Sequence, residues 1–516
     1  MNPVFNFTNL RFKLPVLWLI VSSFGGQSLE METKRPTNII VFMVDDMGWQ
    51  DTSVPFWTES TPLNKLYHTP NMERLAAKGM KFTQAYAAPV CTPSRASLLS
   101  GVNAARHRIT NWTSPYANTD SGIKDPLFKP LHWNINGLCQ ESRIANTFQA
   151  KTFVQYLKEH GYYTIHVGKA HWGSVGSPGA DPKNLGFVQN IAGSATGHPQ
   201  SYLGNENYGN IPGKASIHAV SDLESYYGSN TFLSEALTLE AVKALEYPLD
   251  QNQPFFLYLS HYAVHTPIMR DERFFTPYIK KGMDSIEATY ASLIEGMDKS
   301  LGDIMDFIEQ KNIANNTVIL FMSDNGGLSL SPPRGSIAHT QNKPLRAGKG
   351  SVYEGGIRVP MIAYWPGITK PGSINNDQII IEDFFPTILE IAKIRNESKV
   401  DGLSFVNSLK GKPNAERNLL WYYPHHWGYE GPGINFACAM RQGDWKLVYL
   451  MREAKLELYN IANDIGESKN LSLEYPDKLR QMAGAMTDLM KSRNAQLSVF
   501  EKSGLEIKYP FELIDQ

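Results

Sequence analysis

The sequence predicts an α/β fold, a mainly parallel sheet between helices, continued by a smaller C-terminal antiparallel α+β unit. Three observations carry this. Continuous apolar runs of strand length recur between helical stretches, as in strands buried on both faces. Five strands separated by helices spill polar residues at their carboxyl ends, which is where open parallel sheets hold their chemistry. Past Asp401-Gly402 the alternation gives way to short strands and one helix.

Arg11 and Lys13 precede the apolar run Leu14 to Val21, and a small polar stretch follows, which predicts an export signal over 1–28. The run is too short to span a bilayer, so the expectation is an exported protein, in a bacterial periplasm or outside the cell, without stable membrane insertion. A net charge of −1 in 516 residues gives no reason to expect nucleic acid as a partner. Three cysteines make no disulfide framework, and no CxxC spacing suggests zinc.

The first strand, Asn38 to Val44, runs into Asp45-Asp46-Met47-Gly48. A helix over 69–79, entered through Pro70-Asn71, and a strand over 80–86 deliver the chain to Cys91. Thr92 as cap and Pro93 in the first turn predict a helix running to Gly101, with Arg95 one turn in. Cys91 then lies beside the exposed amides of a helix N-terminus, which attract anions.

A loop-rich stretch through Trp112 and Trp133 leads to a helix over 152–160 and a strand over 162–167, which ends in Gly168-Lys169-Ala170-His171. Residues 174–230 have weak periodicity and the length of an active-site rim. A helix over 234–245 precedes a strand over 255–260 that runs into His261 and His265-Thr-Pro267. Apolar residues from Ile286 to Ile308 at spacings of three and four predict a long helix over 285–309. The strand over 317–322 ends in Ser323-Asp324-Asn325-Gly326. Gly348 to Pro360 reads as a glycine-dense loop carrying Lys349 and Arg358, without the order of a nucleotide loop. The catalytic unit is expected at 36–405 and a subdomain at 406–516, with strands at 418–423, within 439–449 and at 456–459, and a helix over 476–493.

Asp45, Asp46, Asp324 and Asn325 offer only oxygen ligands, a set that selects a hard cation, calcium or magnesium. Arg95, Lys169 and Lys349 can neutralise an anionic group. His171 and His265 complete an acid/base pair at strand ends.

Val44-Asp-Asp-Met-Gly48, Cys91-x-Pro93-x-Arg95, Gly168-Lys-x-His171, His265-x-Pro267, Ser323-Asp-Asn-Gly326 and Gly348-Lys-Gly-x-x-Tyr-Glu-Gly-Gly356 occur in one order. Together they resemble the blocks of the type I, formylglycine-dependent sulfatases, and Leu458 to Leu471 is similar to that family's closing segment. The resemblance implies an alkaline-phosphatase-like fold and a Cys91 oxidised to formylglycine by a formylglycine-generating enzyme. It implies a metal, calcium first, on Asp45, Asp46, Asp324, Asn325 and the modified Cys91. Arg95 would support that residue, Lys169 and Lys349 would hold sulfate, His171 would take a proton, and His265 would assist the leaving oxygen. Ser100, Ala170, Trp172 and Glu467 depart from the usual blocks without removing a reacting group.

The stretches from Asp45 to Phe56 and Asn103 to Thr113 look similar to bacterial carbohydrate sulfatases acting on sulfated galactose or N-acetylgalactosamine, which implies a sulfated carbohydrate substrate. Residues that could face the sugar are Asn111, Trp112, His107, Tyr423, His425 and His426, with His425 preferred. The alternatives are a phosphodiesterase or phosphonate hydrolase of the alkaline phosphatase superfamily and a non-catalytic glycan-binding relative.

Overall fold

The large sheet contains β1 (Asn38–Val44), β2 (Met80–Tyr86), β3 (Tyr163–Gly168), β4 (Gln189–Ile191), β5 (Phe255–Ser260), β6 (Thr317–Ser323), β7 (Arg358–Tyr364), β8 (Ser373–Asn375) and β9 (Ile379–Ile380). Its order is β8-β2-β7-β6-β1-β5-β3-β4, with β9 also on β2. The computed structural model describes Met1 and residues 36–116, 124–141, 144–329 and 341–514, so the expected export signal lies outside the described residues apart from Met1.

β1 is buried at all seven positions, and its side chains divide between two cores by the two-residue period of a strand. Ile40, Phe42 and Val44 join the core under the helices Leu233–Asp250 and Ser285–Gln310. Ile39, Val41 and Met43 join the core that holds the helices Cys91–Ser100, Phe153–Glu159 and Phe384–Ile391. The parallel registers pair Val44 with Ser323, Met43 with Ser260, and Gly168 with Ser260. Asp45, Lys169, His261 and Asp324 therefore leave four neighbouring strands at nearly one level.

Three local expectations are corrected. Among the described residues nine strands form the sheet rather than five, and Arg358 does not lie in a loop: it opens β7, which runs antiparallel between β2 and β6. Proline is uncommon in a central strand, because it has no ladder N–H. The register shifts between Phe82 and Ala85 of β2, opposite Met361 and Val359, so Pro360 faces the irregular part of the ladder. Thr92 does not cap its helix, which begins at Cys91 with Val90 in the cap position and no side-chain cap. The Thr92 hydroxyl instead accepts a hydrogen bond from the Thr113 N–H at 3.2 Å.

The C-terminal sheet is antiparallel, β10 (Asn418–Tyr423), β11 (Ala437–Gln442), β12 (Trp445–Leu450) and β13 (Lys455–Asn460), in that order. The stretch 439–449 thus contributes to two strands, parted at Gly443-Asp444. One face packs on the helix Pro476–Ser492 through Met482, Met486 and Met490. The other packs Leu419, Trp421 and Val448 against Tyr86, Val90 and Ile357. Lys446 crosses this seam to Glu354 (2.9 Å) and Glu467 (2.7 Å), all three buried. Such a pair holds geometry, because breaking it strands a buried charge.

Candidate active site

The strand ends converge on Cys91. Asp45 and Asp46 follow β1, Lys169 and His171 follow β3, His265 follows β5, Asp324 and Asn325 follow β6, and Lys349 stands on the loop before β7. Asp46 and His171 have φ of 61° and 59°, uncommon for residues with a side chain and a mark of local backbone constraint. Gly326 is needed for a close approach: a Cβ there would lie 1.9 Å from the Gly355 carbonyl oxygen, so any side chain would push apart the loops bearing Asn325 and Lys349. The Gly350 N–H donates to the Pro89 carbonyl at 2.7 Å, fixing the Lys349 loop to the turn ahead of Cys91.

Arg95, fully buried, ties these ends together. Its Nε donates to Asp324 Oδ2 (2.7 Å), and its Nη1 donates to the Lys169 carbonyl (2.9 Å) and to Ser260 Oγ (2.6 Å). Nη2 is buried without a partner among the described residues. Ser260 was not singled out from the sequence, although it carries the same signal as its neighbours, a polar residue closing an apolar strand.

Asp45, Asp46 and Asp324 face three cations. Lys169 Nζ lies 2.6 Å from Asp45 Oδ2, Lys349 Nζ lies 2.6 Å from Asp46 Oδ1, and Asn325 Nδ2 donates to Asp46 Oδ1 at 2.8 Å. Burial is the largest influence on Asp45 and pushes its carboxyl well above the ordinary range; Lys169 opposes this, and Asp324 and Asp46 add to it. Burial acts upward on Asp46 too, but Lys349, then His265 and Lys169, hold it well below that range. Two acceptors, Asp45 Oδ1 and Asn325 Oδ1, are buried with no hydrogen-bond partner among the described residues. Orphaned buried oxygens are costly, and a hard cation would satisfy both. Asp45, Asp46 and His265 each bring one candidate ligand atom within 4.8 Å of the others. The donor set fits a divalent ion.

Burial raises the Cys91 thiol, with Lys169 and Lys349 opposing, so the sulfur stays protonated and is a poor nucleophile. His171 Nδ1 lies 3.4 Å from Cys91 Sγ. His171 Nε2 lies 2.8 Å from the Thr113 carbonyl oxygen. A carbonyl only accepts, so Nε2 carries the proton and Nδ1 turns its lone pair toward residue 91. Burial, then Lys169, holds this ring neutral. His265 donates from Nδ1 to the Thr266 carbonyl (2.9 Å) and sets Nε2 3.6 Å from Asp46 Oδ2. Burial and Lys349 lower its pKa, against Asp46.

The proposed sugar-facing residues do not share one environment. His107 is not at the rim: it is fully buried, with Nε2 on Ser97 Oγ and Nδ1 accepting from the Ile109 N–H. Tyr423 donates to Asn111 Oδ1 at 2.9 Å, both buried, while Trp112 is half-buried. His425 is 5 % exposed, with Nε2 2.6 Å from Thr110 Oγ1 and its ring edge-on to Trp133; these contacts do not bring it to the acidic cluster. His426 lies 3.5 Å from Asp125 and from Glu430. No helix among the described residues is long and apolar enough to cross a membrane.

Residues 37–394 match the sulfatase family model, and residues 348–496 match the model of the N-sulphoglucosamine sulphohydrolase C-terminal region. A sulfatase of Formosa agariphila is 29% identical over 96% of this chain and 97% of its own. Human N-acetylgalactosamine-6-sulfatase is 29% identical over 75% of this chain and 68% of its own. The solved structure of Ps i-CgsB in complex with k-i-k-neocarrahexaose has a TM-score of 0.70 at 25% identity, covering 90% of this chain and 94% of that one. With a family model over most of its length and the strand-end site in place, the chain belongs to the sulfatase family and is a sulfuric ester hydrolase.

Proposed function

We propose that the protein hydrolyses a sulfate ester of a carbohydrate, a sulfated galactose or N-acetylgalactosamine, by way of a formylglycine made from Cys91. The observation that carries this is the placement of Cys91: between a neutral imidazole nitrogen 3.4 Å away and a buried set of three carboxylates, two lysines and an arginine. The sugar assignment is supported by a relative named N-acetylgalactosamine-6-sulfatase and by a structural relative solved in complex with k-i-k-neocarrahexaose.

Asp45, Asp46, Asp324 and Asn325, with the modified residue 91, would hold calcium, or magnesium. A bound dication supplies Lewis-acid polarisation of the sulfate oxygens. A hydrated formylglycine supplies two hydroxyls on one carbon, one to attack sulfur and one to expel sulfate afterwards. Within that chemistry, Lys169 and Lys349 exchange their carboxylate partners for sulfate oxygens and neutralise charge that builds during transfer. Arg95, anchored on Asp324, would support the modified residue. His171 Nδ1 removes the proton of the hydroxyl that expels sulfate. His265 would assist the leaving sugar oxygen. His425 would contribute to the sugar site from β10 and its following turn, in the subdomain assigned to 406–516. Export through residues 1–28, to a periplasm or the exterior, and maturation by a formylglycine-generating enzyme complete the reading.

Turnover of mature enzyme on sulfated galactosides, aryl sulfates, phosphate monoesters and phosphate diesters tests it. Sulfate esters are expected to be strongly preferred. Preference for either phosphate class would assign the chain a phosphohydrolase role. Binding of sulfated sugar without turnover would assign it a binding role.

A further inference from the structure

The irregular segment between β4 and the helix Leu233–Asp250 enters the site, and none of the roles above uses it. At Gly197 a Cβ would lie 2.5 Å from His171 Cε1, so the backbone is laid against the ring of the proposed base. The next residue is His198, half-buried. Its ring is parallel to that of His265 within 8°, with centroids 5.6 Å apart. It also stacks on His218, with centroids 3.9 Å apart and planes 24° from parallel. His218 is fixed from behind: its carbonyl accepts from the Gln200 N–H (2.8 Å), and the neighbouring Ile217 carbonyl accepts from Thr196 Oγ1 (3.1 Å).

His198 and His265 share one arrangement. His198 Nδ1 donates to the Pro199 carbonyl at 3.1 Å, as His265 Nδ1 donates to that of Thr266. Each ring therefore keeps its proton on Nδ1 and leaves Nε2 as an acceptor. His198 Nε2 has no hydrogen-bond partner among the described residues. Burial, then His218, lowers the His198 pKa to about 4, and Lys169 and Lys349 act in the same direction, so the ring is neutral and lies within the field of the lysines. A lone pair there repels a sulfate oxygen, which has no proton to give. It suits a hydroxyl.

Resting on the carbohydrate sulfatase reading, we propose that His198, backed by His218, determines specificity by accepting at Nε2 a hydrogen bond from a free hydroxyl of the sugar that carries the ester. The lysines then recognise the anion and His198 recognises the sugar beside it. A site that accepts a substrate hydroxyl discriminates against an analogue that lacks it.

The test uses mature enzyme and methyl galactosides and N-acetylgalactosaminides with one sulfate at each available position, together with monodeoxy analogues of whichever is turned over. On that substrate His198→Ala is expected to raise KM about 10- to 100-fold with kcat changed by less than about threefold, the range of one lost hydrogen bond. His198→Gln, which keeps an acceptor, recovers part of the loss. One deoxy analogue should cost the wild type the same factor and leave His198→Ala indifferent. Wild type and His198→Ala responding alike to every deoxygenation, or a loss confined to kcat, overturns the assignment of His198 alone. Wild type that turns over no sulfated sugar overturns the proposed function and this inference with it.

Discussion

Arg95 Nε and Asp324 Oδ2 are 2.7 Å apart, and solvent reaches neither side chain. Removing one partner from such a pair leaves the other charge buried and alone, which costs about 3–5 kcal/mol. Arg95→Ala is expected to destabilise the fold by that amount in denaturant unfolding and to abolish turnover. Because Arg95 also grips Lys169 and Ser260, Arg95→Lys should recover some stability and little activity. Unfolding midpoints equal to wild type would contradict this.

Asp298 caps a helix 227 residues away in sequence. From the helix Ser285–Gln310 its carboxylate accepts from the Asn71 N–H (3.0 Å), the Met72 N–H (2.8 Å) and Asn71 Nδ2 (2.9 Å), at the start of the helix Pro70–Lys78. That helix has no side-chain cap at Thr69. Asp298→Ala is expected to cost about 2–3 kcal/mol by leaving buried N–H groups unpaired, read by chemical denaturation.

How much was legible follows from where each signal lies. Strands buried on both faces are largely apolar, so Asp45, Lys169, Asp324 and the other strand-end residues stood out one by one. β7 did not, because Pro360 breaks the local rule and only the irregular ladder of β2 excuses it. Asp298 on the helix Pro70–Lys78 and Lys446 between Glu354 and Glu467 join distant parts of the chain and leave no local pattern. His198 lies in a stretch with no period. His107 and His426 look alike in sequence, but one is fully buried and the other half-buried beside Asp125.

Glu382 is buried, and burial, then Asp383, raises its pKa to about 7 from an ordinary 4.5, against Arg493 and the Asn103 amide. The folded state holds this proton more tightly than the unfolded state. Its contribution is therefore complete below pH about 4.5 and lost as pH rises through about 7, a decline on the order of 3 kcal/mol. Glu382→Gln should flatten that part of the stability profile, measured by thermal unfolding across this range. A profile unchanged by the substitution would contradict it.

The orphaned Asp45 Oδ1 and Asn325 Oδ1 predict that a divalent ion stabilises the native state. Chelation should lower the unfolding midpoint and calcium should restore it, by about 3 kcal/mol at a hundredfold excess over Kd. Asp45→Asn should blunt the response. A midpoint indifferent to calcium and magnesium would contradict the site.

The central claim is the chemical state of residue 91, and mass spectrometry of the peptide spanning Cys91, from protein purified out of its native host, tests it most directly. The account predicts an aldehyde in place of the thiol, captured by a carbonyl-reactive hydrazide and absent from Cys91→Ala. A wholly unmodified thiol in protein that still turns over sulfate esters would contradict it.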